Sequence, residues 1–95
     1  MFKAFNLRVY GRVQRVGSRR YVLEHARKLK LAGQIKNEVD DSVSIFVQRE
    51  EENINKLIEI IRNAQQPIKV ESIVVEETTP KEEVKYFTIA YGDLE

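Results

Sequence analysis

Between Gly11 and Gly17 the spacing of apolar residues in this chain changes from two to about three and a half. Before the turn, Phe5, Leu7 and Val9 alternate with Asn6, Arg8 and Tyr10, the pattern of a strand with one buried face. That strand is expected to run to about Val13. After the turn, Val22, Ala26 and Leu29 fall at i, i+4 and i+7, one face of a helix expected between Arg19 and Lys30. Ser18 stands where an N-cap residue would accept from the helix's free amides.

The rest of the chain repeats the alternation. Gly33 ends the helical segment, and Gln34-Ile35-Lys36-Asn37 reads as a short strand. Asp40-Asp41 supplies a hairpin turn, since aspartate tolerates turn dihedrals. Val43, Ile45 and Val47 then alternate with Ser44, Phe46 and Gln48, a third strand. The acidic run Glu50-Glu51-Glu52 opens a second helix, where negative charge complements the helix dipole. Ile54, Leu57, Ile58 and Ile61 occupy i, i+3, i+4 and i+7, a clean helical stripe. Pro67 closes the following loop, and the β-branched run from Val70 to Glu77 reads as a fourth strand. Thr79-Pro80-Lys81 is a turn, and Tyr86 to Tyr91, with Phe87 and Ile89, forms a short last strand. The order β-α-β-β-α-β predicts an α+β class, the ferredoxin-like plait: an antiparallel sheet with two helices on one face, plus a short extra C-terminal strand. With no repeat, linker or low-complexity tract, residues 1–95 are expected to form a single domain.

Composition narrows the chemistry. The 95 residues contain no cysteine, which excludes a disulfide, a thiolate metal site and a cysteine nucleophile. No apolar run reaches the roughly 18 residues of a membrane span. The N-terminus mixes charge with apolarity and lacks the apolar block of a signal peptide, so a cytoplasmic location is expected. Charge is divided unevenly. Residues 1–48 hold ten Lys/Arg against four Asp/Glu, and residues 49–95 hold six against eleven, leaving a net +1. A basic first half suggests an anion site there, although solvation of a helix face would give the same count.

The turn between Gly11 and Arg19 concentrates what an anion needs. Successive backbone N–H groups in a strand–turn–helix can converge as a nest, aided by the positive end of the helix. Arg12, Arg15, Arg19 and Arg20 add guanidinium groups, whose paired donors match phosphate oxygens. Such a site would hold phosphate without a metal or other cofactor.

The stretch Tyr10-Gly11-Arg12-Val13-Gln14-Arg15-Val16-Gly17-Ser18-Arg19 resembles the acylphosphatase signature G-x-V-Q-G-V-G-F-R. A second block, Gly33-Gln34-Ile35-Lys36-Asn37-Glu38-Val39-Asp40-Asp41-Ser42-Val43, is similar to that family's G-W-V-x-N-x-x-D-G-S/T-V. The ending Tyr86-Phe87-Thr88-Ile89-Ala90-Tyr91 resembles its closing F-x-I strand. The resemblance implies hydrolysis of carboxyl-phosphate anhydrides to carboxylate and orthophosphate. It implies that Arg19 binds the phosphoryl group, that backbone amides of Arg15, Val16, Gly17, Ser18 and Arg19 form the cradle, and that Asn37 positions the attacking water. The implied partner is a small acyl phosphate or inorganic phosphate, with no nucleic acid, membrane or metal, acting on a monomer.

The sequence departs from the pattern at several places. Arg15 replaces a loop glycine, so a positive φ there would carry strain, and its side chain can either add a phosphate contact or block the site. Ser18 replaces an aromatic expected to pack beneath the loop. Gln34 replaces a tryptophan, and Lys30 and Asp41 replace turn glycines. These changes leave Arg19 and Asn37 in place. They also motivate an alternative: a catalytically degenerate domain that binds phosphate or a phosphorylated partner. RNA binding, which shares the topology, is disfavoured because Val43 to Gln48 lacks the aromatic RNP1 pattern. His25 precedes core-facing Ala26 and is expected to be structural and partly exposed.

Overall fold

A computed structural model describes residues 1–91. Its elements are β1 (Phe2–Arg12), α1 (Ser18–Lys28), β2 (Ala32–Asn37), β3 (Val43–Glu50), α2 (Glu51–Arg62), β4 (Lys69–Thr78) and β5 (Phe87–Ile89). The sheet order is β4-β1-β3-β2-β5. The four strands of the plait pair antiparallel throughout, while β5 joins β2 in parallel. The sheet is therefore mixed.

The alternation read from the sequence decides which face is buried. Leu7, Val9, Ile35, Val43, Ile45 and Val47 point to one side, where they meet Val22 and Ala26 of α1. From α2 come Ile54, Leu57, Ile58 and Ile61, all buried. Withdrawing each such side chain from water contributes roughly 1.5–3 kcal/mol. Leu29 ends the α1 stripe at the C-cap, only partly buried. His25 is half-exposed, its ring 4.6 Å from that of Tyr21. The opposite sheet face carries Asn6, Arg8, Tyr10, Ser44 and Phe46 and is open.

The parallel placement of β5 depends on the segment from 79 to 86, which crosses from the outer edge at β4 to the outer edge at β2. Gln48 fixes that crossing. Its amide donates to the carbonyls of Lys81 (2.9 Å) and Val84 (3.0 Å) and accepts from the Lys81 N–H (2.7 Å). Alternation assigned Gln48 to the polar side of β3. It does lie on that side, yet the crossing segment covers it and leaves it 1% exposed. Arg27 of α1 then donates to the carbonyl of Phe87 at 3.2 Å. These contacts aim the end of β5 toward the start of α1.

At the other end of β1 the register against β4 shifts between Tyr10 and Gly11. Gly11 has φ 132°, and a Cβ there would collide with the carbonyl of Lys69. Only glycine lets the two backbones approach this closely before the chain leaves the sheet.

Candidate active site

The turn after β1 opens α1 through Gly17, which has φ 82° and is the N-cap residue. The expectation that Ser18 caps the helix is corrected: Ser18 is the first helical residue, and no side chain caps this end. Its buried hydroxyl donates backward to the Val13 carbonyl and ties the loop to itself. The glycine fills the cap position because the chain must turn through a left-handed conformation there. The first intrahelical bond runs from Tyr21 N–H to the Gly17 carbonyl at 3.0 Å. The amides before it have no partner further back in the helix. The first turn holds no acidic residue and two arginines, Arg19 and Arg20. Cations at the positive end of a helix dipole oppose it. The arrangement is stabilised when an anion sits at that end.

A cleft of about 200 Å³ lies over this turn. Arg15, Gly17, Ser18 and Arg19 line it from the loop and helix, and Asn37 lines it from the end of β2. Four of the five residues expected in the phosphate cradle therefore meet the expected catalytic asparagine. The Val16 side chain packs against the core rather than lining the cleft; the part expected of Val16 is that of its backbone amide. Arg12 lies outside the lining and Arg20 inside it. Among the described residues, none that lines the cleft is an acid.

Asn37 carries a buried polar atom of a kind that folded proteins leave unsatisfied only rarely. Its Oδ1 is buried and accepts no hydrogen bond among the described residues. Such an acceptor costs about 1–3 kcal/mol unless a ligand or water uses it. Arg19 is half-buried, and its guanidinium sits 5.0 Å from the ring centre of Tyr91, within the roughly 6 Å reach of a cation–π contact.

Two contributors had no assigned role in the sequence reading. Tyr91 closes the cleft beside Ile89. Period two places these residues on one side of the chain, a signal that could have found Tyr91. Gln14 lies within the signature stretch. Its amide donates to the carbonyls of Glu38 (2.8 Å) and Ser42 (2.9 Å), joining the loop before α1 to the hairpin that follows Asn37. No periodicity reveals such a bond. The hairpin is held further by Asp40, which accepts from the Ser42 hydroxyl and amide and pairs with Arg8 at 3.4 Å. The Ser42 hydroxyl, then its amide, and the Arg8 charge hold the Asp40 carboxyl below its ordinary range. Gln14→Leu is expected to lower stability by about 1–3 kcal/mol, because two hydrogen bonds are lost at about 0.5–1.5 kcal/mol each, although both carbonyls keep a backbone donor, Asp41 N–H on Glu38 and Glu38 N–H on Ser42. Urea unfolding checks this; an unchanged midpoint would remove Gln14 as a clamp.

Arg15 has a positive φ, 63°, as do Asp41 at 72° and Lys30 at 59°. A left-handed conformation costs an L-residue about 1–2 kcal/mol. Glycine relieves it while giving back about 0.5–1 kcal/mol of chain entropy. Arg15→Gly is thus expected to raise stability by about 1 kcal/mol or less. A lower urea midpoint would mean that Arg15 makes a contact worth more than its strain.

Fold and cleft together define a ferredoxin-like α+β protein with arginines and an amide side chain around one small cleft. The family model for acylphosphatase matches residues 5–89. An acylphosphatase of Clostridium acetobutylicum is 36% identical over 91 residues, which is 96% of this chain and 100% of that protein. One from Listeria monocytogenes is 42% identical over 87 residues, 90% of this chain and 92% of its own. The crystal structure of acylphosphatase from Bacillus subtilis superimposes with a TM-score of 0.88 at 36% identity, covering 96% of this chain and 100% of that one. The chain belongs to the acylphosphatase family.

Proposed function

We propose that this chain, as a monomeric single domain in the cytoplasm, hydrolyses small acyl phosphates without a metal. The buried Oδ1 of Asn37, without a hydrogen-bond partner among the described residues, in the cleft lined by Arg19, is the observation that carries this reading. Arg19 and the amides from Arg15 to Arg19, Val16 contributing its backbone alone, hold the phosphoryl oxygens. Tyr91 keeps the Arg19 guanidinium in place. Asn37 Oδ1 accepts a hydrogen bond from water and turns its lone pair toward phosphorus.

The chemistry asks for little more. Water oxygen bonds to phosphorus as the bond from phosphorus to the acyl oxygen breaks, its electron pair leaving on the carboxylate. The water proton passes to the phosphoryl group or solvent. A carboxylic acid has a pKa of about 4–5, so its carboxylate departs without a dedicated acid. What remains is positioning and charge stabilisation, which a guanidinium, several amides and one oriented water supply.

Arg15 supports a second reading, phosphate binding without turnover. Its strained backbone places an exposed side chain at the cleft where the family signature has glycine. Turnover of a small acyl phosphate in excess chelator separates the two. The hydrolytic reading expects release of orthophosphate well above the spontaneous rate. Amide shifts at Gly17 to Arg19 on phosphate addition, with no release, would leave only binding.

A further inference from the structure

One phosphoryl group does not account for all the positive charge around this cleft. Arg19 is half-buried and held against Tyr91. Arg15 and Arg20 line the same cleft but are exposed, and neither forms an ion pair among the described residues. They sit beside the positive end of α1, where each adds to an unfavourable field rather than relieving it. Arg15 does so from a backbone conformation that penalises any side chain. Solubility would be served as well by a cation elsewhere. With the phosphoryl group matched to Arg19, a further negative charge at the mouth offsets the costs of these two positions.

We infer that the preferred ligand of this cleft carries a second anionic group, a carboxylate or phosphate on the acyl portion, which Arg15 and Arg20 receive at the mouth. The inference deepens the hydrolytic reading of the same cleft and rests on it for the phosphoryl end. Cleft size sets the scale. At about 200 Å³ it is smaller than the roughly 300–1,000 Å³ typical of drug-sized ligands. It suits a phosphoryl group and a chain of a few carbons. Guanidinium forks bind carboxylate and phosphate alike through paired donors, so both remain within the class. The apolar walls, Val13 and Ile89, suit the short carbon link between the two charges.

The test compares two stable phosphonates of equal length, carboxyethylphosphonate and propylphosphonate, titrated into the full chain and followed by amide shifts at Gly17 to Arg19. The charged-tail ligand is expected to bind about fivefold or more tightly, the scale of two exposed ion pairs. The preference should shrink at high salt, where the screening length falls to about 3 Å at 1 M. The double variant Arg15→Gly/Arg20→Gln, whose first change relieves a positive φ and whose second lies on an exposed helix position, should bind the two nearly equally. Equal affinities in the parent, binding of neither ligand, or a preference that survives in the double variant would overturn the inference. Acyl phosphate turnover is scored separately. Turnover with equal phosphonate affinities removes the second-anion site and keeps the hydrolase. A clear phosphonate preference without turnover removes the hydrolase and keeps the site.

Discussion

Replacing Arg19 by glutamine is expected to lower kcat/KM for a small acyl phosphate by about a hundredfold or more, the scale of losing one preorganised charge-stabilising donor group. Arg19 enters the cleft from the first turn of α1, half-buried and stacked on Tyr91. Its fork is therefore oriented before substrate arrives, and little side-chain freedom is lost on binding. The phosphoryl oxygens carry charge in the ground state and in the transition state, so both KM and kcat should suffer. Arg19→Lys keeps the charge without the planar fork and should recover only part of the loss. A steady-state series on the two variants checks this, and full activity in Arg19→Gln would remove Arg19 from the site.

Asn37→Ala is expected to act differently. The residue is assigned to water rather than to the phosphoryl group, so kcat should fall by about a hundredfold to a thousandfold while KM moves little. Stability provides a second readout. A buried oxygen with no hydrogen bond is a cost to the fold. Removing it should leave the urea midpoint equal or higher. Loss of activity together with loss of stability would instead mark Asn37 as a structural residue of the hairpin.

The fold is legible in the sequence where one local pattern settles the outcome. The stripe from Ile54 to Ile61 is buried along its whole length, because four apolar residues on one helical face have nowhere else to go. The strand–turn–helix at Gly11 to Arg19 was legible for a similar reason: two periods meet there, and glycines mark the join. Gln48 was less legible. Alternation fixes the side of the sheet a residue faces, but not what later crosses that side. The segment covering Gln48 follows it by more than thirty residues, and the parallel course of β5 depends on it.

Within the site, residue type carried Arg19 and Asn37 into view, whereas geometry corrected the part expected of Ser18. Ser18 has the composition of a cap, yet Gly17 takes that position because its backbone is left-handed. Val16 sits inside the loop motif, and its side chain belongs to the core. Gln14 acts through two carbonyls of a hairpin distant in sequence. Such bonds leave no trace in spacing, since any residue's carbonyl can accept them.

The central claim is that this cleft directs water at phosphorus. It is tested most directly by running acyl phosphate hydrolysis in heavy-oxygen water with chelator present and locating the label by mass spectrometry, with the spontaneous reaction subtracted. Catalysed turnover with the heavy oxygen in orthophosphate is the predicted result. Label in the carboxylate, or no turnover above the spontaneous rate, would contradict it.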